Sequence, residues 1–388
     1  MNLDNKYIFK GNFGLERETL RITSDGKLAQ TPHPFGDSKY LDRDFCENQL
    51  ELITPVCGSI DELMDTLSEL DKYARDKLAQ QDESLWLSSN PPHFEIESDI
   101  PIAQFKGDRG FKHDYRLNLQ RRYGKRLMLY SGIHFNFSFS EEFFKSIHDG
   151  ESDYKTFKNS LYFRLSKQVC RYSWLLVMLT AASPVYDLSL DGDHLSGEGF
   201  DGYSSRRNSD KGYWNQFIPE LDYSGLSEYI ESIENYIRKG VLFSAGELYL
   251  PVRLKPSGEN KLSSLVENGV NHIELRMFDL NPLSPLGVFR EDLEFAHYFL
   301  IYLMELPDFE FTPQLQKRAI LNHRSAAKFD LCREKINDYP AVDAALGILD
   351  DMSIYYKDFS DILKNIEYQK QKLTENKRYC EEVMSRHV

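Results

Sequence analysis

The chain has little cysteine, and the cysteines that it has form no motif. Its 388 residues include five cysteines, which are scattered and show no CxxC spacing. A zinc site or a disulfide framework needs cysteines that are regularly spaced or even in number. The sequence therefore predicts neither of them and favours a reducing compartment.

Long apolar runs and an excess of basic charge are also missing. The longest apolar run, "WLLVMLTAA" at 174–182, is far shorter than the roughly 20 residues that a membrane-spanning helix needs. The first residues, "MNLDNKYIFK", lack the apolar core of a secretion signal. The formal net charge of −14 opposes attraction to nucleic acid or to an anionic membrane. We therefore expect a cytoplasmic protein with no nucleic-acid partner and no membrane partner.

The sequence also gives no support for the common nucleotide-binding folds. The P-loop motif GxxxxGK[ST] does not occur, and the sequence predicts neither a P-loop site nor a Rossmann site. Internal repeats and low-complexity tracts are absent. Two segments rich in Gly, Ser, Asp or Pro, 187–205 and 254–264, predict surface loops.

Apolar periodicity predicts the secondary structure of the remaining chain. Helical spacing occurs over 59–81, 156–182, 225–239 and 289–305, and strand-like alternation over 13–22, 131–139 and 270–278. After about residue 305 the chain is charged and helical, with no strand signal. We expect a catalytic core over residues 1–290 and a helical portion over 291–388 that packs on it, the two forming one structural unit.

Three of the predicted strands carry one apolar face and one face of ligand-type side chains. In "GLERETLRI" (14–22), Glu16 and Glu18 share a face about 6.6 Å apart, and Arg17 points to the other. The polar faces are Glu16 and Glu18 in the first strand, His134, Asn136 and Ser138 in the second, and His272, Glu274 and Arg276 in the third.

Such alternation is ordinarily explained by a sheet with one face in water. That explanation predicts Lys, Thr and Gln on the polar face, whereas these strands carry Glu-x-Glu, His-x-Asn and Glu-x-Arg. Carboxylates and an imidazole around a common space suit divalent cations such as Mg²⁺ or Mn²⁺. The three strands together therefore predict a metal site.

A further acidic group lies in "LDRDFCENQLELITP". Asp44, Glu47 and Glu51 fall at i, i+3 and i+7, so they would share one stripe of a helix. Asp44 and Glu47 also fit a capping box at the start of that helix. We assign Glu47 to the cap and keep Asp44 and Glu51 as candidate ligands.

Arginines and tyrosines supply the other candidates. They are Tyr115 and Arg116, then Arg206, Arg207 and Tyr213, then Tyr249 and Arg253. Arginine binds carboxylates and phosphates bidentately. In an acidic protein, arginines in glycine-containing loops therefore suggest an anionic substrate.

The motifs resemble those of one enzyme family. "FGLERETLRI", "TPHP", "DFCENQLELITPV", "YRLNLQRRYG", "SGIHFNFSF", "ASP" (182–184), "RNSDKGY", "ELYLPVR" and "IELRMFDLNPLSPLGV" occur in the order found in bacterial glutamate–cysteine ligases, including the ligase part of the bifunctional glutathione synthase. The matching blocks run from residue 13 to about 290.

The resemblance implies an α+β fold of the glutamine-synthetase type, with a curved, mainly antiparallel sheet that forms a funnel and helices on its convex side. It implies a reaction in which ATP phosphorylates the side-chain carboxylate of glutamate and the amine of cysteine then displaces phosphate. ATP would be a co-substrate, with two or three Mg²⁺ ions that Mn²⁺ could replace. The small-molecule partners would be ATP, glutamate and cysteine or another amino acid. The oligomeric state stays open, and a monomer is compatible with the sequence.

The resemblance also implies a role for each matching residue. The metal ligands would be Glu16, Glu18, Asp44, Glu51, His134 and Glu274, which include the residues selected by strand periodicity. Arg116 and Arg276 would steady the transferred phosphoryl group. The substrate-binding residues would be Phe45, Tyr115, Tyr213 and Tyr249 at the acceptor, Arg207 at the α-carboxylate of the donor, and Asn136.

The chain departs from the family pattern at three places. It has "WLSSNP" at 86–91 where the family has Trp-Pro-Leu-Ser-Met-Pro, and Met128 and Tyr130 replace the usual glutamine and isoleucine. We also expect a shorter C-terminal helical region than the family pattern has. A rival hypothesis is therefore the same ligase chemistry with a different donor or acceptor, favoured by Met128, Tyr130 and Asn90.

Two hypotheses from other classes remain. The fold is related to that of guanidino kinases, but the Glu-x-Glu and Glu-x-Arg motifs argue against a kinase. A non-catalytic paralogue that binds metal or nucleotide should have lost part of the ligand set, whereas all six predicted ligands are present.

Overall fold

The alternation predicted over residues 13–22 corresponds to a long strand in the computed structural model, which describes residues 3–387. In chain order the strands are β1 Gly11–Thr23, β2 Leu41–Arg43, β3 Gln49–Ile53, β4 Glu83–Trp86, β5 Gly132–Phe139, β6 Tyr186–Asp187, β7 Glu198–Gly199, β8 Val252–Pro256, β9 Val270–Asp279, β10 Lys335–Ile336 and β11 Tyr339–Pro340. The three long strands predicted from the sequence agree with β1, β5 and β9 to within two residues.

Seven of these strands form one antiparallel sheet. Its order is β2-β3-β1-β5-β9-β8, and β4 pairs with the last residues of β1. Every pairing in this sheet is antiparallel. The sheet therefore brings the three strands with polar faces, β1, β5 and β9, side by side.

Helices account for most of the remaining structure. In chain order they are α1 Ile60–Ala79, α2 Gly110–Leu127, α3 Glu141–Ile147, α4 Tyr154–Thr180, α5 Leu226–Arg238, α6 Leu262–Asn268, α7 Arg290–Glu305, α8 Pro313–Ala326, α9 Ala341–Tyr355, α10 Ser360–Thr374 and α11 Tyr379–Ser385. The four predicted helices are α1, α4, α5 and α7, again to within two residues. Across residues 3–387, no helix combines the length and the apolar character needed to cross a membrane.

Helices cover the apolar face of the sheet. Phe135 and Phe137 of β5 are fully buried in one core cluster with residues of α1, α4 and α7. The ring of His297 on α7 lies 5.0 Å from the ring of Phe13 and 5.1 Å from that of Phe137. The other face of the strands is thereby left for the polar side chains.

The C-terminal helices join the same core. Lys372 on α10 donates to Asp292 on α7 at 2.6 Å, and both side chains are buried. The hydroxyl of Tyr356 donates to the backbone carbonyl of Tyr298 on α7 at 2.7 Å. The division at residue 290 stays a prediction, and α7, which begins there, belongs to the core that backs the sheet.

The predicted helix through Asp44, Glu47 and Glu51 is wrong. This segment is a hairpin of β2 and β3, because "QLELI" alternates with period two and buries Leu50 and Leu52. The capping interpretation fails with the helix. The structural role of Glu47 nevertheless holds, since its carboxylate accepts from the backbone N–H groups of His33 at 3.0 Å and Gln104 at 2.9 Å.

Three further details differ from the sequence predictions. The predicted loop at 254–264 begins inside β8, which extends to Pro256. Helix α2 was not predicted, although Phe111, Tyr115, Leu119 and Tyr123 recur there at every fourth residue. A short hairpin, β10–β11, interrupts the C-terminal helices, and Asn337 and Asp338 form its turn with positive φ angles of 50° and 72°.

The loop at 187–205 contains glycines spaced as in a dinucleotide-binding motif, but its structure does not fit that role. "GEGFDG" at 197–202 fits GxGxxG, but it begins just before β7 of the β6–β7 hairpin and ends just after it. A dinucleotide motif instead links a strand directly to a helix. The structure therefore contains no Rossmann unit at this position.

Candidate active site

The polar faces of β3, β1, β5, β9 and β8 surround a cavity of about 220 Å³. The strand register places Glu18 opposite Glu51, Glu16 opposite His134, and Asn136 opposite Glu274. Of the predicted site residues, those that line the cavity are Glu16, Glu18, Asp44, Phe45, Glu51, Tyr115, Arg116, His134, Tyr213, Tyr249, Glu274 and Arg276. Residues predicted from distant segments thus meet in one place.

His134 lies at the centre of the carboxylates. Its Nδ1 is 3.2 Å from Oε2 of Glu16, and its Nε2 is 3.6 Å from Oε1 of Glu18. One potential ligand atom from each of Glu16, His134 and Glu274 lies within 4.8 Å of the other two. A single divalent cation can bridge atoms at this separation.

The acidic residues on the β3 side of the cavity carry unbalanced negative charge. Burial raises the pKa of Glu18 above its ordinary value. Burial also raises the pKa of Glu51 to well above its ordinary value, and the neighbouring carboxylates Glu16 and Asp44 raise it further. The side chain of Glu51 makes no hydrogen bond and no ion pair among residues 3–387. Ionised carboxylates in such a position need cations from outside the chain.

These residues fit a site for hard divalent cations. The donor set consists of carboxylate oxygens and one imidazole, which suits Mg²⁺ and Mn²⁺. The Nε2 atom of His134 is buried and makes no hydrogen bond within the described chain. The assignment of the six ligands stays a prediction, which this arrangement supports.

Glu274 differs from the other carboxylates, because two cations contact it. Arg276 Nη1 lies 2.5 Å from Oε1 of Glu274, and Lys255 Nζ lies 2.5 Å from Oε2. Burial alone would raise the pKa of Glu274, but Lys255 and Arg276 outweigh it and hold this pKa well below its ordinary value. The cavity therefore has an anionic side near Glu51 and a cationic side near Arg276.

Sequence reasoning missed Lys255. The residue lies in the segment that was predicted to be a loop, but Arg253 and Lys255 are two residues apart on β8 and both line the cavity. A period of two across "VRLK" was the signal that could have found Lys255 beside Arg253, which was already a candidate. The cationic side thus contains Lys255 in addition to the predicted arginines.

Arg116 on α2 is tied to the backbone. Its Nη1 donates to the carbonyl of Lys112 at 2.9 Å and its Nη2 to that of Arg43 at 3.2 Å. Its Nε donates to the carbonyl of Asp44. These bonds hold the β2–β3 turn beside the cavity, so in this geometry Arg116 positions Asp44 as well as lining the site.

Aromatic and apolar side chains form another part of the cavity wall. The rings of Tyr213 and Tyr249 lie 4.2 Å apart, centroid to centroid. Burial raises the pKa of Tyr115 to about 12, so its hydroxyl is neutral at physiological pH. Leu119 and Met128, which were not among the predicted site residues, complete this wall. Such a wall suits a small side chain of low polarity.

Two predicted site residues do not line this cavity. Arg207 lies in an adjoining small cavity that shares Tyr213, Tyr249 and Arg276 with it. Asn136 donates through Nδ2 to Oε1 of Glu16 at 3.1 Å. Its contact is therefore with a predicted ligand, and its binding of substrate stays a prediction.

The three residues that depart from the family pattern, Met128, Tyr130 and Asn90, do not lie in one site. Met128 lines the cavity, but Tyr130 and Asn90 do not. The Nδ2 atom of Asn90 donates to the backbone carbonyls of Ser183 at 2.9 Å and Val185 at 2.8 Å. Of the departures that favour a different substrate, only Met128 is placed to act on one directly.

Solved structures share this fold. The glutamate–cysteine ligase of Francisella tularensis in complex with AMP superposes with a TM-score of 0.86 and 26% identity over 97% of this chain and 84% of that one. A bifunctional glutathione synthetase of Pasteurella multocida gives 0.85 and 27% over 98% of this chain and 50% of that one. The α+β fold predicted from the sequence, with its curled antiparallel sheet, is confirmed. The chain therefore has the fold of these two enzymes.

Sequence comparisons name the family. The model of the glutamate–cysteine ligase family matches residues 2–242 and 237–325. The glutathione biosynthesis bifunctional protein GshAB of Listeria monocytogenes is 40% identical over 95% of this chain and 51% of its own length. GshAB of Clostridium perfringens is 39% identical over 83% of this chain and 43% of its own length. The chain belongs to the glutamate–cysteine ligase family, and it spans about half the length of these curated relatives.

Proposed function

We propose that this chain joins the γ-carboxylate of L-glutamate to the amine of L-cysteine at the expense of ATP. The products would be γ-glutamylcysteine, ADP and phosphate, as in the first step of glutathione synthesis. The observation that carries the proposal is a single cavity with carboxylates on one side, Arg276 and Lys255 on another, and an aromatic wall around Met128. Family membership and the AMP held by the Francisella tularensis ligase support the use of ATP.

The first half-reaction is a phosphoryl transfer. A γ-carboxylate oxygen of the donor attacks the γ-phosphorus of ATP, the bond to ADP breaks, and an acyl phosphate forms. Such a transfer needs positioning and charge neutralisation more than covalent help from the protein. Arg276 and Lys255 would supply positive charge to the phosphoryl oxygens, and Arg207 would hold the α-carboxylate of the donor.

Divalent cations fit the same scheme. The residues that would hold them are Glu16, Glu18, Asp44, Glu51, His134 and Glu274. When bound, these ions would neutralise the triphosphate and orient it. The carboxylates of the chain would thereby lose the mutual repulsion that raises the pKa of Glu51.

The second half-reaction is an acyl transfer. The neutral amine of the acceptor attacks the acyl carbon, the bond to the phosphate oxygen breaks, and the departing phosphate takes up the proton that the amine loses. Tyr115, Tyr213 and Tyr249 would surround the acceptor side chain, together with Phe45. An enclosed aromatic wall also excludes water, which would otherwise hydrolyse the acyl phosphate.

Met128 favours a second candidate, the same chemistry with another donor or acceptor amino acid. Met128 lines the cavity, and the family resemblance implies a glutamine amide at this position. A thioether cannot replace the hydrogen bonds of an amide, and a missing hydrogen bond to a polar substrate weakens its selection strongly.

A pairwise screen of the twenty amino acids tests both candidates. Purified protein, ATP and Mg²⁺ should release phosphate only when a donor and an acceptor are both present. Mass spectrometry should detect γ-glutamylcysteine, with fragmentation that identifies the γ-linkage. Preference for another pair would establish the second candidate, and phosphate release that ignores the acceptor would reject the ligase mechanism.

A further inference from the structure

The guanidinium group of Arg207 lies directly against the backbone of Gly132, the first residue of β5. A β-carbon added to Gly132 would be 2.5 Å from Nη2 and 2.6 Å from Nε of Arg207. Real β-carbons essentially never approach a heavy atom closer than 3.0 Å. The place of the Arg207 side chain therefore depends on a residue without a side chain at position 132.

The same glycine also contacts the carboxylate side of the site. Its backbone N–H donates to Oε2 of Glu18 at 3.0 Å, and its position on β5 puts it on the face that carries His134. The φ angle of Gly132 is not in the left-handed region, so alanine would fit the backbone there. The three heavy atoms nearest to such a β-carbon all belong to the guanidinium group of Arg207.

The backbone that carries Arg207 cannot easily withdraw. Asp279, the register partner of Gly132 on β9, accepts hydrogen bonds from Ser205 Oγ at 2.8 Å and Asn208 Nδ2 at 3.3 Å, on either side of Arg207. On the other side, a β-carbon at Gly212 would collide with the carbonyl oxygen of Arg207, so the chain is closely packed there as well. A clash at Gly132 must therefore move the guanidinium group rather than the loop.

We propose that Gly132 is a positioning residue that sets the place of the Arg207 guanidinium group and thereby the affinity for the carboxylate of the donor amino acid. This inference rests on the proposed role of Arg207 as the group that binds the donor. Gly132 acts by leaving room, and Asp279 acts by fixing the loop from the opposite strand.

Steady-state kinetics of Gly132→Ala test the proposal. A displaced guanidinium group loses a charged hydrogen bond to the donor, so the KM for glutamate should rise about tenfold. The KM for ATP and the kcat at saturating glutamate should stay within about twofold. The lost contact would hold the donor equally well in the ground state and in the transition state, so its loss weakens binding without slowing the chemical step. Equal rises in both KM values, or no change in either, would overturn the proposal.

Gly14→Ala is the matched control. Gly14 lies on the same face of the neighbouring strand β1, and an added β-carbon would be 3.5 Å from Cβ of Asn136, an ordinary contact. Its KM for glutamate should stay at the wild-type value. A rise equal to that of Gly132→Ala would show a general effect of filling this face and would overturn the proposal.

A stability cycle keeps the test decisive if Gly132→Ala folds poorly. In an Arg207→Ala background the clash is gone, so adding Gly132→Ala should lower the melting temperature much less than it does in the wild type. Equal falls in melting temperature in the two backgrounds would show that the alanine side chain does not clash with Arg207, which would overturn the proposal. If Arg207→Ala alone leaves the KM for glutamate unchanged, the proposed role of Arg207 is wrong and the link to donor affinity falls with it, while the stability cycle still reports on the contact.

Discussion

Strand β1 places charged side chains on both of its faces, but only the charges on one face have counter-ions that match them. On the helix side, Arg17 donates to Asp71 on α1 at 2.5 Å, and Arg21 donates to Glu83 on β4 at 2.6 Å. On the cavity side, Glu16 and Glu18 lie beside Glu51, another carboxylate. One strand thus joins a face of matched charges to a face of like charges.

The difference separates structural charge from functional charge. Arg17 also donates to the backbone carbonyl of Leu286 at 3.0 Å, and Asp71 also accepts from Arg75 at 2.6 Å, so the chain itself satisfies this group. On the cavity side the chain supplies less positive charge than Glu18 and Glu51 need. Buried charges that the chain leaves unbalanced indicate ligands.

Removal of a structural charge should have the largest effect on stability. Asp71→Asn leaves the Arg17 guanidinium group buried without its counter-ion, which should cost about 3–5 kcal/mol of unfolding free energy. Denaturant unfolding measures this loss, and the kcat of the remaining folded protein should change little because Asp71 lies on the helix side.

Asp76→Asn is the control for that variant. Asp76 is on the same helix but pairs with Lys72 at the surface, where an ion pair contributes about 0–1 kcal/mol. If Asp71→Asn and Asp76→Asn cost the same, the two faces of β1 do not differ as described.

Metal binding should stabilise the protein through the carboxylates on the cavity side of β1. Mg²⁺ or Mn²⁺ at about 100 times its Kd should stabilise the protein by about 2.7 kcal/mol, measured as a rise in melting temperature. The double variant Glu16→Gln/Glu18→Gln should lose most of this rise, because two predicted ligands are gone.

A second double variant controls for net charge. Glu231→Gln/Glu234→Gln removes two carboxylates from the surface of α5, where both pair with Arg238, and it should keep the full metal-dependent rise. Equal rises in wild type and in Glu16→Gln/Glu18→Gln would make the pair on β1 structural.

Glu51→Gln should give the smallest effect, and of the opposite sign. Burial and its acidic neighbours raise the pKa of Glu51, so the folded state binds its proton more tightly than the unfolded state does. Stability then falls as pH rises above about 4.5, the ordinary value. In chelator, Glu51→Gln should therefore be more stable than wild type at neutral pH.

The pH dependence makes this prediction specific. The advantage of Glu51→Gln should shrink as the pH is lowered toward 4.5, as measured by thermal unfolding across the range. Glu69→Gln, on the exposed side of α1, should show no such advantage at any pH. A Glu51→Gln variant that is less stable than wild type in chelator would mean that a cation within the chain balances Glu51.

The sequence alone determined the strands that build the cavity and most of its residues. Period-two alternation is a local property, so Glu16, Glu18, His134 and Glu274 could be assigned to polar faces without knowledge of the fold. The prediction at Asp44 and Glu51 was wrong because the helical period was applied to a short hairpin. Acidic residues seven positions apart fit two turns of a helix as well as they fit the two arms of such a hairpin. Lys255 was missed because the Pro and Gly that follow it made the end of β8 resemble a loop.

Only the tertiary structure decided which of these residues meet and which charges are matched. The antiparallel order β3-β1-β5-β9-β8 brings together segments that lie up to about 260 residues apart in the chain, and no local pattern encodes that order. It also decided that Arg17 faces Asp71 while Arg207 rests on Gly132, since each contact joins distant segments through packing. Local periodicity specifies the face of a strand, and long-range packing specifies what that face meets.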